Sequence, residues 1–240
     1  MNAVITGASR GLGFATAEIF AKNGFDLLLT SQNEVLMYKA LENLTTRYPT
    51  ASIKAKPFDL ADKTQARAFG QWALNEARKK NEENRRLDVL VNNAGQFIPG
   101  SVHNEGDGVL ENLIAINLYS AYHLTRELLP EMMKQKHGHI FNICSIAALQ
   151  AYHNGGAYSI SKFAMAGFSK NLREEMKEYG IKVTAVYPGA AYTDSWASAG
   201  VDPARLMEAH DVAAMVYSAS QLSLRACVEE IILRPQRGDL

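Results

Sequence analysis

The sequence predicts an α/β fold built on a parallel sheet. Short, nearly continuous apolar runs of strand length recur along the chain, as strands covered on both faces should read. Segments with helical apolar spacing separate them, and that alternation implies parallel strands joined by crossover helices. The chain has 240 residues, 47% apolar and 21% charged, enough to bury one large core, and it reads as one domain over residues 1–240.

Taken in order, residues 3–5 form the first apolar run, and residues 13–22 follow with Phe14, Ala17, Ile19, Phe20 and Ala21 at helical spacing. Residues 25–30 form the second strand. Residues 76–86 carry Lys79, Lys80, Glu82, Glu83, Arg85 and Arg86 with almost nothing apolar, which predicts a solvated helix end and linker. Strands are predicted at 89–92, 139–143 and 182–187. Between them stand helices over 109–129, with Leu113, Ile116, Leu118 and Leu124, and over 158–176.

Twenty-five basic and twenty-five acidic residues cancel, so charge gives no reason to expect a nucleic acid or an anionic membrane as partner. The first residues have no basic region and no apolar run of export length, so a cytoplasmic location is expected. Cys144 and Cys227 suggest neither a disulfide framework nor a redox pair and read as small core thiols. His137 and His139 are explained by a turn leading into a strand, and no further ligand spacing completes a metal set, so no metal is expected.

Thr6-Gly7-Ala8-Ser9-Arg10-Gly11-Leu12-Gly13 stands between the first strand and the first helix. Gly7 permits a sharp turn, Gly11 lets the backbone approach a pyrophosphate, and Gly13 lets the helix pack on the strand. The helix N-terminus then offers free N–H groups to phosphate. Such a turn predicts a dinucleotide site. A Walker-type loop is excluded, because Phe14 and Ala15 follow Gly13 where Lys and Ser or Thr are required. The second strand ends in Leu29-Thr30-Ser31-Gln32-Asn33, with no carboxylate to hold a ribose hydroxyl. Arg10 can pair with a 2′-phosphate and Ser31 can donate to it, which favours NADP, with NAD as the alternative.

Tyr158 and Lys162 are four residues apart, hence neighbours on one helical face, where an ammonium can lower the pKa of a phenol. Ser145 follows the fifth apolar run, at the strand edge where ligands of open α/β sheets bind. Asn117 is an amide inside an apolar helix and must find partners; it can hold a water in line with Lys162. Singly, each also reads as an ordinary structural residue. Their occurrence together, behind the glycine turn, points to proton transfer beside a nicotinamide.

These motifs, with Asp59 in Phe58-Asp59-Leu60, Asn92-Asn93-Ala94-Gly95, and Pro188-Gly189 with Thr193, resemble the short-chain dehydrogenase/reductase family across essentially the whole chain. The resemblance implies a three-layer α/β/α Rossmann-type fold with a mostly parallel seven-stranded sheet. It implies a catalytic set of Asn117, Ser145, Tyr158 and Lys162, with Tyr158 as acid and base. It further implies cofactor contacts at Gly7, Ser9, Arg10, Gly11, Leu12, Gly13, Ser31, Gln32, Asp59, Leu60, Asn93, Ala94, Gly95, Tyr158, Lys162, Pro188, Gly189, Ala191 and Thr193. Homodimers or tetramers built on the helices of Asn117 and Tyr158 are implied as well.

The aromatic-rich segments 96–101, 146–154 and 190–200 flank this centre, and Phe97, Tyr152, His153, Tyr192 and Trp196 are candidate substrate contacts. Residues 189–196 and 229–240 resemble the sepiapterin reductase branch. That resemblance implies a pterin-like or diketone substrate, with Asp239 as the matching anchor. The implied activity is NADP(H)-dependent hydride exchange with a carbonyl or secondary alcohol. The 3-oxoacyl-carrier-protein reductases share every catalytic motif and are the alternative, and a cofactor-binding sensor or scaffold without catalysis is the alternative of another class.

Overall fold

Residues 1–79, 86–193 and 200–239 are described by a computed structural model. The elements run β1 (Asn2–Thr6), α1 (Gly11–Lys22), β2 (Asp26–Thr30), α2 (Glu34–Arg47), β3 (Ile53–Ala55), α3 (Lys63–Lys79) and β4 (Val89–Asn92). They continue with α4 (Val109–Ile114), a π-helical turn (Ala115–Tyr119), α5 (Ser120–Gln135), β5 (Gly138–Ile143), a 3₁₀ turn (Ile146–Ala148) and α6 (Gly156–Met176). Last come β6 (Ile181–Pro188), α7 (Ala209–Ser220) and β7 (Glu230–Leu233). The charged stretch 76–86 begins at the end of α3, and its residues 80–85 lie outside the described residues.

The seven strands pair in the order β3-β2-β1-β4-β5-β6-β7, and every pairing is parallel. Strand side chains alternate between two cores, one on each face. Ala3, Ile5, Leu27, Leu29, Val89 and Val91 join the cluster that holds α1, α2 and α7, whereas Val4, Leu28 and Leu90 join the cluster that holds α3, α5 and α6. This period of two explains why the strands read as unbroken apolar runs: both faces are covered by helices. Truncating Leu28 or Leu90 to alanine would each cost about 2–5 kcal/mol.

The chain leaves β1 toward one side of the sheet and returns through α3 to β4 on the other side of β1. The strand order therefore reverses between β1 and β4, and a crevice opens above their carboxyl ends, where open sheets of this kind bind ligands. The glycine turn starts at the end of β1 and the Asn93–Gly95 segment at the end of β4, while Ser145 and Gly189 follow the neighbouring β5 and β6.

Candidate active site

At the first crossover, Gly7 (φ 62°) and Gly11 (φ 56°) occupy the left-handed region. Gly13 has ordinary backbone, but a β carbon there would stand 2.2 Å from the Gly7 carbonyl oxygen and 2.4 Å from Asn93 Nδ2. Close packing against the end of β1 thus requires glycine at 13. Asn93 closes the turn: its Nδ2 donates to the carbonyl oxygens of Thr6 (2.9 Å) and Gly7 (3.2 Å). Thr6 Oγ1 in turn accepts from the backbone N–H groups of Asn93 (2.9 Å) and Ala94 (2.8 Å). Thr6, the first residue of the motif, thus ties the end of β1 to the end of β4.

Arg10, exposed and in extended conformation, precedes α1 and contributes no side-chain cap. The N-terminus of α1 therefore has no side-chain cap from the residue before it, and a helix start of this kind can receive phosphate. The residues present fit a dinucleotide. Ser31 is buried, with its hydroxyl 3.4 Å from the Asn33 carbonyl oxygen, and Gln32 is exposed. The sequence places no carboxylate at the end of β2, yet the fold supplies one, because Gln32 Nε2 donates to Asp59 Oδ2 at 3.0 Å. Asp59 Oδ1 accepts from Ala61 N at 3.0 Å, and the side chain of Leu60 packs into the core on the α3 side.

The π-helical turn sets Asn117 inward, and the extra residue that it accommodates frees a carbonyl from the α-helical pattern. Ser120 Oγ donates to the Ile116 carbonyl oxygen at 2.5 Å. The Asn117 side chain is 1% exposed. Its Oδ1 accepts from Gln96 N (2.7 Å), and its Nδ2 donates to the Gln96 carbonyl oxygen (3.0 Å) and Ser161 Oγ (2.9 Å). Both amide hydrogens are therefore committed to the segment after β4 and to α6. Gly95 makes room for this: a β carbon there would stand 2.9 Å from Asn117 Oδ1 and 3.4 Å from Lys162 Nζ.

Ser145 leaves β5 in extended conformation and caps the 3₁₀ turn, its Oγ accepting from Ala147 N at 3.1 Å. Its side chain also acts on the nearby Tyr158 phenol, favouring the phenolate. Ser159 Oγ donates to the Ala147 carbonyl oxygen at 2.7 Å and fastens α6 to the same turn. Lys162 is buried, with Nζ 3.0 Å from the Ile143 carbonyl oxygen and 5.9 Å from the centre of the Tyr158 ring.

The electrostatics depart from the sequence expectation. Burial pushes the Tyr158 phenol up to about 12, against the smaller lowering effect of Ser145. Burial also lowers the Lys162 ammonium from its ordinary value. In the chain alone, desolvation outweighs the lowering expected from the ammonium.

Tyr158 and Ser145 open into a cavity of about 410 Å³ whose walls include Leu12, Phe97, Cys144, Ile146, Gln150, Tyr152, Pro188, Gly189, Ala191, Thr193, Arg234 and Asp239. The Phe97 ring meets Tyr158 edge to face at 4.8 Å. Of the candidate substrate contacts, Phe97, Tyr152 and Asp239 line the cavity. His153 and Tyr192 are exposed and do not belong to its wall, because their loop positions turn them to solvent, and Trp196 lies outside the described residues. Asp239 is ion-paired with Arg234, a wall residue that no sequence motif singled out. Cys144 also lines the wall, its thiol pushed up to about 11 by burial.

His137 Nε2 stands 3.3 Å from Asp88 Oδ1, while His139 is buried, stacked on Phe141, with Nε2 2.7 Å from Thr184 Oγ1. Among the described residues no cluster of three or more His, Cys, Asp or Glu side chains is arranged to hold a metal. Among them, too, no helix is long and apolar enough to cross a membrane.

Known proteins resemble this chain in sequence and fold. The chain is 32% identical over 245 residues to a sepiapterin reductase of Chlorobaculum tepidum, covering 99% of this chain and 97% of the relative. A metagenomic short-chain oxidoreductase solved in complex with NADP superposes with a TM-score of 0.81 at 28% identity, covering 98% of this chain and 97% of the other. A short-chain dehydrogenase from Sphingobium yanoikuyae, in complex with NADPH, gives a TM-score of 0.80 at 27% identity, covering 96% and 87%. Residues 1–203, which contain the glycine turn, Asn117, Ser145, Tyr158 and Lys162, match the family model described as short chain dehydrogenase. The seven-stranded parallel sheet, the glycine cradle and this match across most of the sequence lead to one conclusion: the chain is an oxidoreductase of the short-chain dehydrogenase family.

Proposed function

We propose that this protein is an NADP(H)-dependent carbonyl reductase, interconverting a ketone or aldehyde with its alcohol, with Tyr158 as the acid and base. The side chains of Tyr158 and Ser145, together in the wall of an otherwise largely apolar cavity with Lys162 one helical turn on, carry the reading. Bound NADPH supplies the hydride, and the residues that would hold it are those of the glycine turn, the Asn93–Gly95 segment and the Pro188–Thr193 segment. Arg10, together with the NADP and NADPH complexes of the two structural relatives, supports NADP over NAD.

The chain's own residues divide the remaining work. Ser145 Oγ accepts from Ala147 N and keeps its hydrogen to donate to the substrate oxygen. Tyr158 delivers its proton to that oxygen during reduction and withdraws one during oxidation. Lys162, held by the Ile143 carbonyl oxygen, places a positive charge beside the phenol as it ionises. Asn117 locks the Gln96 segment to α6 and so fixes the wall that faces Lys162.

The relationship to a sepiapterin reductase and the position of Asp239 in the wall support a pterin-like or vicinal diketone substrate. The ion pair with Arg234 means that such a substrate must share or displace it. Exposed Tyr119, Ile160 and Phe163 on the helices of Asn117 and Tyr158 support self-association through that face.

The test follows NADPH absorbance against a panel of sepiapterin, vicinal diketones, acetoacetyl thioesters and simple aldehydes. Tyr158→Phe should abolish turnover while leaving NADPH binding nearly unchanged. Full turnover in that variant would remove Tyr158 from the chemistry. Tight NADPH binding with no turnover anywhere in the panel would favour a sensor, and turnover of acyl thioesters alone would favour the 3-oxoacyl-carrier-protein branch.

A further inference from the structure

We infer that Glu105 is a positioning residue for the helix that carries Tyr158, an inference that rests on the proposed role of Tyr158. The start of α6 has no cap of its own. Gly155 precedes it in helical conformation (φ −77°, ψ −36°), offers no side chain, and no acidic residue stands in the first turn. The first N–H groups of such a helix need an acceptor from elsewhere. Glu105 supplies one from 52 positions upstream: its Oε1 accepts from Ala157 N at 2.8 Å.

The local backbone is shaped for this contact. Gly156 is in the left-handed region (φ +35°), and a β carbon there would stand 2.0 Å from Glu105 Oε1 and 2.5 Å from the Gly100 carbonyl oxygen. Glycine at 156 therefore opens the space that the carboxylate fills. The loop bearing Glu105 is fastened twice more to the segment that leads into α6. Gly100 N donates to the Asn154 carbonyl oxygen (3.1 Å), and Ser101 Oγ donates to Asn154 Oδ1 (2.8 Å). The same connection between β4 and α4 carries Phe97, whose ring lies against Tyr158.

Glu105 is not part of the cavity wall, so it acts through its neighbours. The residue that it holds, Ala157, is 1% exposed and immediately precedes Tyr158. Fixing that N–H fixes where the phenol leaves the helix, and hence its alignment with Ser145. An error of about an ångström at a reacting group can cost about a hundredfold in rate, so a single anchor beside Tyr158 has leverage on turnover.

The test compares Glu105→Ala, Glu105→Gln and Tyr158→Phe, using NADPH and the most active carbonyl compound of the panel above. Glu105→Ala should lower kcat about tenfold while KM for NADPH changes less than about twofold. It should also move the acid limb of alcohol oxidation to higher pH, because the Ser145 side chain that favours the phenolate is misaligned with Tyr158. Glu105→Gln keeps a carbonyl acceptor and should restore both. The inference is overturned by unchanged kcat in Glu105→Ala, by Glu105→Gln being equally impaired, or by a parallel loss of NADPH affinity and thermal midpoint, which would mark general unfolding. Turnover by Tyr158→Phe would instead sink the reading beneath it, whereas a dead Tyr158→Phe beside a fully active Glu105→Ala would sink the Glu105 inference alone.

Discussion

The ring of Phe97 stands edge-on over Tyr158, with centroids 4.8 Å apart and planes at 81°. Burial is the largest cause of the raised phenol pKa, so Phe97 helps to hold the proton on Tyr158. Reduction uses the protonated phenol, which persists through neutral pH, whereas oxidation uses the phenolate, whose population rises about tenfold per pH unit below the pKa of about 12. Alcohol oxidation should therefore accelerate from about pH 6 to pH 9 while reduction changes little. Phe97→Ala should shift the oxidation profile to lower pH. Wild-type oxidation rates that are flat with pH would contradict this account.

Gly95→Ala introduces a methyl into the space between Asn117 Oδ1 and Lys162 Nζ. Both are buried and engaged in hydrogen bonds, so the strain moves one of them. We expect kcat to fall by about ten- to a hundredfold with stability reduced by about 1–3 kcal/mol. Steady-state rates and a urea titration on the same preparation separate the two effects. Wild-type kcat would show that the site tolerates the added methyl.

Arg10→Ala should raise KM for NADPH about tenfold or more while altering KM for NADH less than about threefold, because only the former carries the 2′-phosphate. Equal effects on both cofactors would show that Arg10 serves the turn and not the phosphate.

Burial pushes His139 down to about 3, so the folded protein keeps it neutral where the unfolded chain takes up a proton below about pH 6.5. Stability is therefore undiminished above that value and is lost as pH falls toward 3, by about 1 kcal/mol per unit. His139→Gln, which keeps a polar partner for Thr184 without titrating, should flatten the decline in urea midpoint between about pH 6.5 and 4.5. The same slope in both proteins would remove His139 from the acid response.

The five strands that the sequence displays are the inner five of the sheet, buried on both faces, and announce themselves as unbroken apolar runs. The two edge strands do not. β3 is three residues with lysine in the middle, and β7 starts with glutamate and exposes Ile232, so only the family resemblance counted them. The glycine turn and the Tyr158–Lys162 pair were legible because their geometry is local. Long-range contacts left no local trace: the Asp59 carboxylate at the end of β2 and the Glu105 anchor join residues that only the fold brings together. The rise in the Tyr158 pKa was likewise hidden, since desolvation depends on what covers the ring.

The ammonium of Lys162 is tethered to the Ile143 carbonyl oxygen, two residues before the serine hydroxyl. One strand tip thus acts as a common datum for both the positive charge and the hydroxyl. Thermal sliding of α6 along the sheet would stretch that tether before it could separate the two groups, so the spacing between them is inherited from β5 and not negotiated by the helix.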